Sequence, residues 1–324
     1  MKLWIAWFVA MLFLLVGCGT GDEVSGEQGN DGNQIDEKIS QFEGYVAAYE
    51  DERVLIVENE LSEPYKDMEF EDFTEKAGQA IYFSLEEIEN SMRDSLVLGE
   101  KITVEHGAVA ESYPGQSSAV SINRVVDEQN DLIVNHEKVD NVHAWHSFLH
   151  SKDGSMRKMN TTTEGDSVFT MIQRKEDNYK VMIDGSQDEF GPMEINNYSC
   201  GQYAESYEQP DVNITLTDCN NDSGELTLFS LEANQLIIPE QKYSSLSVQT
   251  LEGESVFESD DQAIINETIE KIKSGNKTSV AQMGLMASDG KLTLSGEYAD
   301  VILDYYLDGN VISGGAYIEA GLNY

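Results

Sequence analysis

Basic residues are scarce in this chain of 324 residues. It has 20 lysines and arginines against 60 aspartates and glutamates, which gives a formal net charge of −40 and a pI near 4.1. A surface this negative repels the phosphates of nucleic acids and of anionic membranes, so we expect no nucleic-acid partner. The charge suits either a cation or basic partner or, more simply, a well-solvated exterior surface.

Long hydrophobic runs are scarce too, and the one that stands out spans residues 3–17. As a helix it would measure about 23 Å, short of the roughly 30 Å of a bilayer core. It therefore indicates a signal peptide over residues 1–17. The letters LVGCG at residues 15–19 resemble the lipobox of bacterial lipoproteins. That resemblance implies cleavage before Cys18, lipid attachment to it, and anchoring on the extracytoplasmic face of the cell membrane. The alternative is an ordinary secretory signal, or a short anchor helix with an incidental cysteine.

Residues 18–41 contain almost no large apolar side chains and are rich in Gly, Ser, Asn and acids. This composition predicts an acidic tether starting at the lipidated Cys18. Such a flexible segment would reach about 26 Å, further if its like charges repel.

Motifs for nucleotide binding and catalysis are missing. There is no Walker A sequence and no G-x-G-x-x-G after a predicted strand. An apparent calcium loop starting at Asp218 has Ser223 and Phe229 where such a loop needs glycine and a bidentate glutamate. We therefore predict no catalytic residue and no cofactor.

Apolar residues alternate with a period of two over residues 42–126, which predicts a small OB-like β-barrel domain. The predicted elements are strands at 42–49, 53–58, 80–83, 101–105, 107–111 and 118–125, with a helix over 85–92 behind a capping box at Ser84. Residues 59–78 are expected to be irregular and acidic, and residues 127–140 to be a linker.

Two further segments, residues 141–231 and 240–324, read as α+β meanders, so the fold class is α+β with mostly antiparallel strands. In the first, a helix over 143–151 should bury Trp145, Phe148 and Leu149 on one face. The predicted strands are 156–163, 167–174, 179–184, 212–217, 225–231, 246–251, 255–258, 291–295, 299–307 and 311–318. A helix capped by Ser259 should end at Gly275. Whether the two segments form one domain or two stays open.

Two stretches resemble known families. Residues 42–125 resemble a YobA-like domain of unknown function of Bacillus-type lipoproteins, most specifically through ESYPGQ at 111–116. Residues 141–231 resemble a second lipoprotein-associated domain of unknown function, through NVH at 141–143 and TTEGD at 162–166. Neither resemblance implies an activity.

Only three cysteines are present, so Cys200 and Cys219 remain once Cys18 is lipidated. An even number outside the cytoplasm predicts a disulfide between them. It would close a loop of about twenty residues and contribute about 3 kcal/mol. Two free buried thiols are the alternative.

Four of the five histidines fall within residues 136–150. On a helix, His143, His146 and His150 would share one side and could bind a metal ion. The alternative, which we prefer, is a solvent-facing flank beside the buried stripe; His136 precedes the helix.

Together these features favour a membrane-anchored, non-enzymatic extracytoplasmic module that binds or scaffolds a protein or glycan. The alternatives are a cell-envelope hydrolase using carboxylates or a metal, and a cation-responsive sensor.

Overall fold

The computed structural model describes residues 39–135, 139–284 and 287–324. The predicted signal peptide, Cys18, most of the predicted tether and His136 lie outside the described residues. None of the helices in the described part of the chain is long and apolar enough to cross a bilayer. The folded body is mostly antiparallel β-structure with few helices, as predicted.

A closed five-stranded barrel forms the first part of this body. Its strands are β1 (Ser40–Glu50), β2 (Arg53–Val57), β3 (Ala80–Ser84), β4 (Lys101–His106) and β5 (Gly115–Arg124). Their order is β1-β2-β3-β5-β4, and β4 pairs back to β1. Within the barrel β3 and β5 run parallel, and the other pairs run antiparallel. The prediction of a small β-barrel is confirmed.

The outer face of β2 and β3 is covered by a helix that the sequence did not predict. Alternate side chains of β2 fill the barrel, whereas Leu55 and Val57 pack outside it against Phe73. Phe73 belongs to α1 (Phe70–Lys76), which lies in the acidic stretch 59–78. The expectation of an irregular stretch was wrong here, because one fully buried aromatic ring anchors this short helix.

The second helix also differs from the prediction. Helix α2 (Asn90–Ser95) begins after most of the predicted span 85–92. Leu85 and Ile88 are buried in the barrel core instead, so burial of apolar side chains outweighs the local capping signal at Ser84.

Two loop assignments require correction as well. The predicted strand 107–111 is a loop with a single isolated bridge, between Ala110 and Gln116. The predicted linker 127–140 contains two short strands, β6 (Leu132–Val134) and β7 (Val139–Asp140). Strand β6 pairs with β8, which lies 26 residues further along the chain, and β7 adds only two residues beside β6, so a local pattern does not reveal either strand.

The second sheet has six strands in the order β11-β10-β9-β8-β6-β7. Its longer strands are β8 (Asp153–Thr161), β9 (Ser167–Lys175), β10 (Asn178–Asp184) and β11 (Ile195–Cys200). Strands β8 to β10 confirm the predicted meander. Helix α3 (Val142–His150) packs on this sheet and buries Trp145 and Phe148 as predicted, while Leu149 is partly buried.

A third sheet has the order β12-β13-β14. Its strands are β12 (Gln202–Glu208), β13 (Asp211–Thr217) and β14 (Glu225–Glu232). The partners of β13 jump from Phe229 to Thr227 on β14, so Leu228 is the extra residue of a β-bulge. Strand β12 was not predicted, because most of its residues are polar. Only Tyr203 and Tyr207 give it a large apolar side chain that could indicate a period of two.

The last sheet has seven strands in the order β16-β15-β18-β19-β20-β21-β17. The strands are β15 (Tyr243–Thr250), β16 (Ser255–Ser259), β17 (Asn276–Ser279), β18 (Gly290–Gly296), β19 (Val301–Tyr305), β20 (Val311–Ser313) and β21 (Ala316–Glu319). The predicted strand 311–318 is interrupted by Gly314 and Gly315, whose φ angles of 59° and 68° make a tight turn that suits glycine.

Two further helices complete the body, α4 (Ala233–Ile237) and α5 (Gln262–Ser274). Helix α5 ends at Gly275 as predicted. Its N-cap is Asp261, whose carboxylate accepts a hydrogen bond from the N–H of Ala263 (2.8 Å), and not Ser259. Asp261 lies one residue before the helix and so competes successfully for this position.

One continuous hydrophobic cluster links the two α+β segments. It contains Trp145 and Ile214 from the first segment, and Leu246, Ile265 and Leu303 from the second. The two segments therefore share a core, whereas the barrel interior is a separate cluster.

Candidate functional site

An open groove of about 1460 Å³ lies between the barrel and the α+β segments. Residues 97–100 of the barrel and the connector 127–131 form one side. Helix α3, strands β8 and β9, the segment 235–240 and Tyr298 supply the rest. Small-molecule sites commonly measure roughly 300–1,000 Å³, so this groove has room for an extended ligand.

The barrel's own usual binding surface is not available. OB-type barrels commonly bind ligands on the outer face of strands 2 and 3. Here α1 covers that face, and Phe73 is 1% exposed against it. The groove is therefore the better candidate site.

Arg157 of β8 lies in the floor of the groove and is 8% exposed. Two of its nitrogens donate to the two carboxylate oxygens of Asp131, at 2.7 and 2.8 Å. The terminal nitrogens also donate to the backbone carbonyls of Lys101 (3.1 Å) and Val125 (2.8 Å). These contacts engage the guanidinium within the protein, so it is not presented to an anionic ligand.

A second buried arginine joins the barrel to the six-stranded sheet. Arg124, at the end of β5, is 2% exposed. It donates to Glu100 (3.0 Å) and to the carbonyl (3.0 Å) and hydroxyl (2.9 Å) of Ser95 in the barrel, and to Asp184 at the end of β10. Burial raises the pKa of Glu100, and the neighbouring arginine charge opposes that rise. This network fixes the wall of the groove that contains Glu100.

The connector is held in one conformation by side-chain hydrogen bonds. Asp127 accepts from the N–H of Asn130 (3.3 Å) within its own turn. Asn141, in the left-handed region at φ 59°, donates to the carbonyls of Glu128 (2.8 Å) and Asp131 (2.9 Å). Because Asn141 immediately precedes α3, it attaches the connector to that helix.

Tyr298 is an exposed aromatic ring on a fixed loop. Gln241 accepts hydrogen bonds from the N–H groups of Tyr298 (3.0 Å) and Ala299 (3.2 Å), and donates to the carbonyl of Ala299 (2.7 Å). One face of the ring stacks on His143, with centroids 4.6 Å apart and planes at 26°. The ring is nevertheless 61% exposed, so its remaining surface is open to the groove.

The three histidines proposed as metal ligands do not form a common site. His143 stacks on Tyr298, and burial lowers its pKa. His146 is buried and donates to the carbonyl of Leu236 (2.6 Å), and burial lowers its pKa to about 4. His150 contacts the backbone of Asp300, and burial lowers its pKa. The described residues contain no group of three or more histidine, cysteine or carboxylate side chains placed to hold a metal ion.

The preferred alternative for this histidine flank also needs correction. His146 faces the core rather than solvent, because Leu236 of α4 lies over that side of α3 and offers a carbonyl acceptor.

The groove is strongly acidic. Apart from Glu100 and Asp131, which pair with the two arginines, it is lined by the carboxyl groups of Glu60, Asp127, Glu128, Asp140 and Glu240. Arg157 and His143 are the basic side chains among its lining residues. The site therefore favours a ligand that donates hydrogen bonds or carries positive charge.

A second cavity, of about 420 Å³, contains a carboxyl group with a strongly shifted pKa. Burial raises the pKa of Glu205 to about 7, although the N–H groups of Gly314 and Gly315 oppose the rise. Tyr203 also donates to this carboxyl group. Tyrosine, serine and apolar residues make up the rest of the lining, with no second acid or base. Glu205 thus holds the Gly314–Gly315 turn onto β12 rather than forming half of a carboxylate pair.

Cys200 and Cys219 form the predicted disulfide. Cys200 ends β11 and Cys219 follows β13, so the bond ties the six-stranded sheet to the three-stranded one.

The sequence indicated neither Tyr298 nor the two arginines as site residues. His143 and Tyr298 are 155 positions apart, and a single exposed tyrosine carries no local pattern. The one available signal for the arginines was their rarity: the chain has five, at positions 53, 93, 124, 157 and 174.

The barrel defines an OB-type domain, and the comparisons with known proteins concern this part of the chain. Residues 43–127 match the family described as "Protein of unknown function (DUF3221)". The crystal structure of the YobA protein from Bacillus subtilis is 24% identical, over 28% of this chain and 97% of that one, with a TM-score of 0.23. The solution structure of a B. subtilis YobA fragment is also 24% identical, over 32% of this chain and 92% of that one, with a TM-score of 0.23. No curated protein matches the chain.

Proposed function

We propose that this protein is a lipid-anchored extracytoplasmic lipoprotein that binds a ligand in the groove without chemically changing it. The observation that carries the binding function is the fixed groove itself. Its connector, its exposed Tyr298 and its buried arginines are each held by several hydrogen bonds. A site preorganised in this way spends little free energy on ordering when a ligand binds.

The sequence supports the anchor. The apolar run at residues 3–17 and the lipobox-like LVGCG at 15–19 favour attachment through acyl chains on Cys18. More than one chain makes anchoring stable, since each buried CH₂ contributes about 0.8 kcal/mol. The resemblance of residues 141–231 to a second lipoprotein-associated domain fits the same location. The acidic tether would hold the folded body away from the anionic surface.

The side chains in the groove favour binding over hydrolysis. Glu100 and Asp131, whose pKa values burial raises, lie beneath the surface and accept hydrogen bonds from arginine. A glycosidase instead presents two carboxyl groups to the substrate, one of them protonated and free to donate. The proposed partners are the bilayer and a protein or glycan outside it.

Two experiments test this proposal. In the native host, Cys18→Ser should abolish palmitate labelling and release the protein from the membrane fraction; unchanged labelling and fractionation would refute the anchor. Affinity capture with the intact lipoprotein should recover a partner that is lost with Tyr298→Ala and kept with Phe190→Ala, a control ring that is 75% exposed and is not among the groove-lining residues. Equal recovery by both variants would refute the groove.

A further inference from the structure

The chemistry of the groove restricts the class of ligand, and this step rests on the proposed binding function. The groove offers carboxylates and amides, and its one arginine is engaged by Asp131 and by backbone carbonyls. A phosphate, sulfate or carboxylate would meet no available cation and several negative charges. The ligand must therefore supply donors: hydroxyl, amine or ammonium groups.

Tyr298 adds a requirement of shape. One face of the ring is occupied by His143, and the ring remains 61% exposed at the edge of the groove. Burial lowers the pKa of His143, which favours the uncharged form of this partner ring. The free face of an aromatic ring is electron-rich and attracts C–H groups and cations. A sugar ring in its chair form, with C–H bonds on one face and donors around its edge, satisfies both requirements.

We infer that the groove binds a glycan containing amino sugars, with one sugar ring stacked on Tyr298 and its ammonium group facing the carboxylates. Two exposed carboxyl groups of the groove lining are Glu240, whose neighbour Gln241 accepts from the N–H of Tyr298, and Glu128 on the connector. The volume of the groove, about 1460 Å³, suits several linked sugars rather than one.

A basic peptide is the competing occupant, and the structure favours it less. Peptides that bind as an added strand need an exposed sheet edge. The edge strand in the groove, β7, has only two residues. The groove therefore offers no backbone ladder for an extended chain, whereas a sugar needs only side-chain acceptors and a ring face.

The test is calorimetric titration of the full-length lipoprotein in neutral detergent at mildly acidic pH. The probes are a glucosamine hexamer, an N-acetylglucosamine hexamer and hexalysine. We expect the glucosamine hexamer to bind about tenfold more tightly than its acetylated counterpart, and to lose affinity as salt is added. Tyr298→Ala should weaken it about tenfold, whereas Tyr298→Phe and Phe190→Ala should not. Glu240→Gln should weaken the glucosamine hexamer and leave the acetylated one unchanged.

Three results would overturn the inference. One is the absence of heat with both sugars. Another is equal binding by Tyr298→Ala and the parent chain. The third is Tyr298-dependent binding of hexalysine with no sugar bound, which would keep the proposed function and change the ligand class to a basic peptide. Chromatography of the recovered oligomers distinguishes failure of the proposed function from failure of the inferred ligand class. Shortened sugars would refute the non-enzymatic function but would leave the ligand class unchanged.

Discussion

Lys158 provides a pH-dependent test of the packing between two sheets. Its side chain is 3% exposed, and its ammonium group donates to the carbonyl of Leu228 at 2.5 Å. Leu228 is the bulged residue of β14, where the regular pairing with β13 is interrupted. Lys158 therefore satisfies this carbonyl, but burial opposes the charged form of its side chain.

Burial lowers the pKa of Lys158 to about 8, against 10.5 in the unfolded chain. Between these values the unfolded chain binds more protons than the folded one, so the free energy of unfolding rises with pH. The shift corresponds to about 3 kcal/mol. At about pH 7 that amount opposes folding, and it is almost fully relieved by about pH 10.5.

Lys158→Met removes this dependence. It deletes the buried charge but leaves the carbonyl of Leu228 without a donor, which costs about 1–3 kcal/mol. Near neutral pH, the gain from removing the buried charge and the cost of the unsatisfied carbonyl nearly cancel, or the variant is slightly more stable than the parent. Near pH 10 the variant should be less stable than the parent, because little penalty remains to be removed.

The assay is urea unfolding of parent and variant at about pH 7 and about pH 10, with Lys180→Met, at an exposed position of β10, as control. The stability difference between Lys158→Met and the parent should change by about 2–3 kcal/mol between the two pH values. The control difference should stay constant. If the free energy of unfolding of Lys158→Met and of the parent changed by the same amount between the two pH values, the argument that this charge is buried would be refuted.

Three further predictions concern other buried groups. Arg124→Met should lower the free energy of unfolding by about 3–5 kcal/mol in urea titrations, since it leaves the buried carboxylates of Glu100 and Asp184 unpaired. A loss below about 1 kcal/mol would contradict the view that Arg124 joins the barrel to the six-stranded sheet. Replacing Cys200 and Cys219 together by alanine should cost about 3 kcal/mol, and a melting temperature unchanged from the parent would count against it. Burial raises the pKa of Glu205 to about 7, so the contribution of this residue to stability should decline as pH rises from about 4.5 to 7. In calorimetric melting, Glu205→Gln should lack this decline. Identical pH profiles for the variant and the parent would disprove the prediction.

The barrel and the meanders were predictable because their strands alternate buried and exposed side chains. Strand β4 shows this regularly, and α5 shows the helical equivalent with Ile265 and Ile272 buried. Signals confined to a few residues were less dependable. The capping box at Ser84 does not begin a helix, because Leu85 is buried in the barrel core. Ser259 does not cap α5, because Asp261 lies closer to the start of the helix and caps it instead.

The groove could not be predicted, because its parts meet only in three dimensions. Arg124 and Asp184 are 60 residues apart, and Tyr298 stacks on a histidine from the other α+β segment. The histidine cluster shows the converse: a spacing that suits metal ligands on a helix placed His146 in the core. Composition gave one hint. Because the chain has few arginines, each of them is a candidate for a specific structural role.

The two buried arginines determine how the groove can work. One wall of the groove belongs to the barrel and the others to the α+β segments, so its width depends on how firmly these parts are joined. Arg124 links Glu100 to Asp184, and Arg157 links Asp131 to the carbonyls of Lys101 and Val125, which are neighbours at one end of the β4–β5 pair. Separating the barrel would leave these buried charges without their partners, at a cost of several kcal/mol each. Hinge closure around a ligand is therefore unfavourable. The groove should bind by complementarity to a shape already present, with affinity set by Tyr298 and the carboxylates rather than by a conformational change.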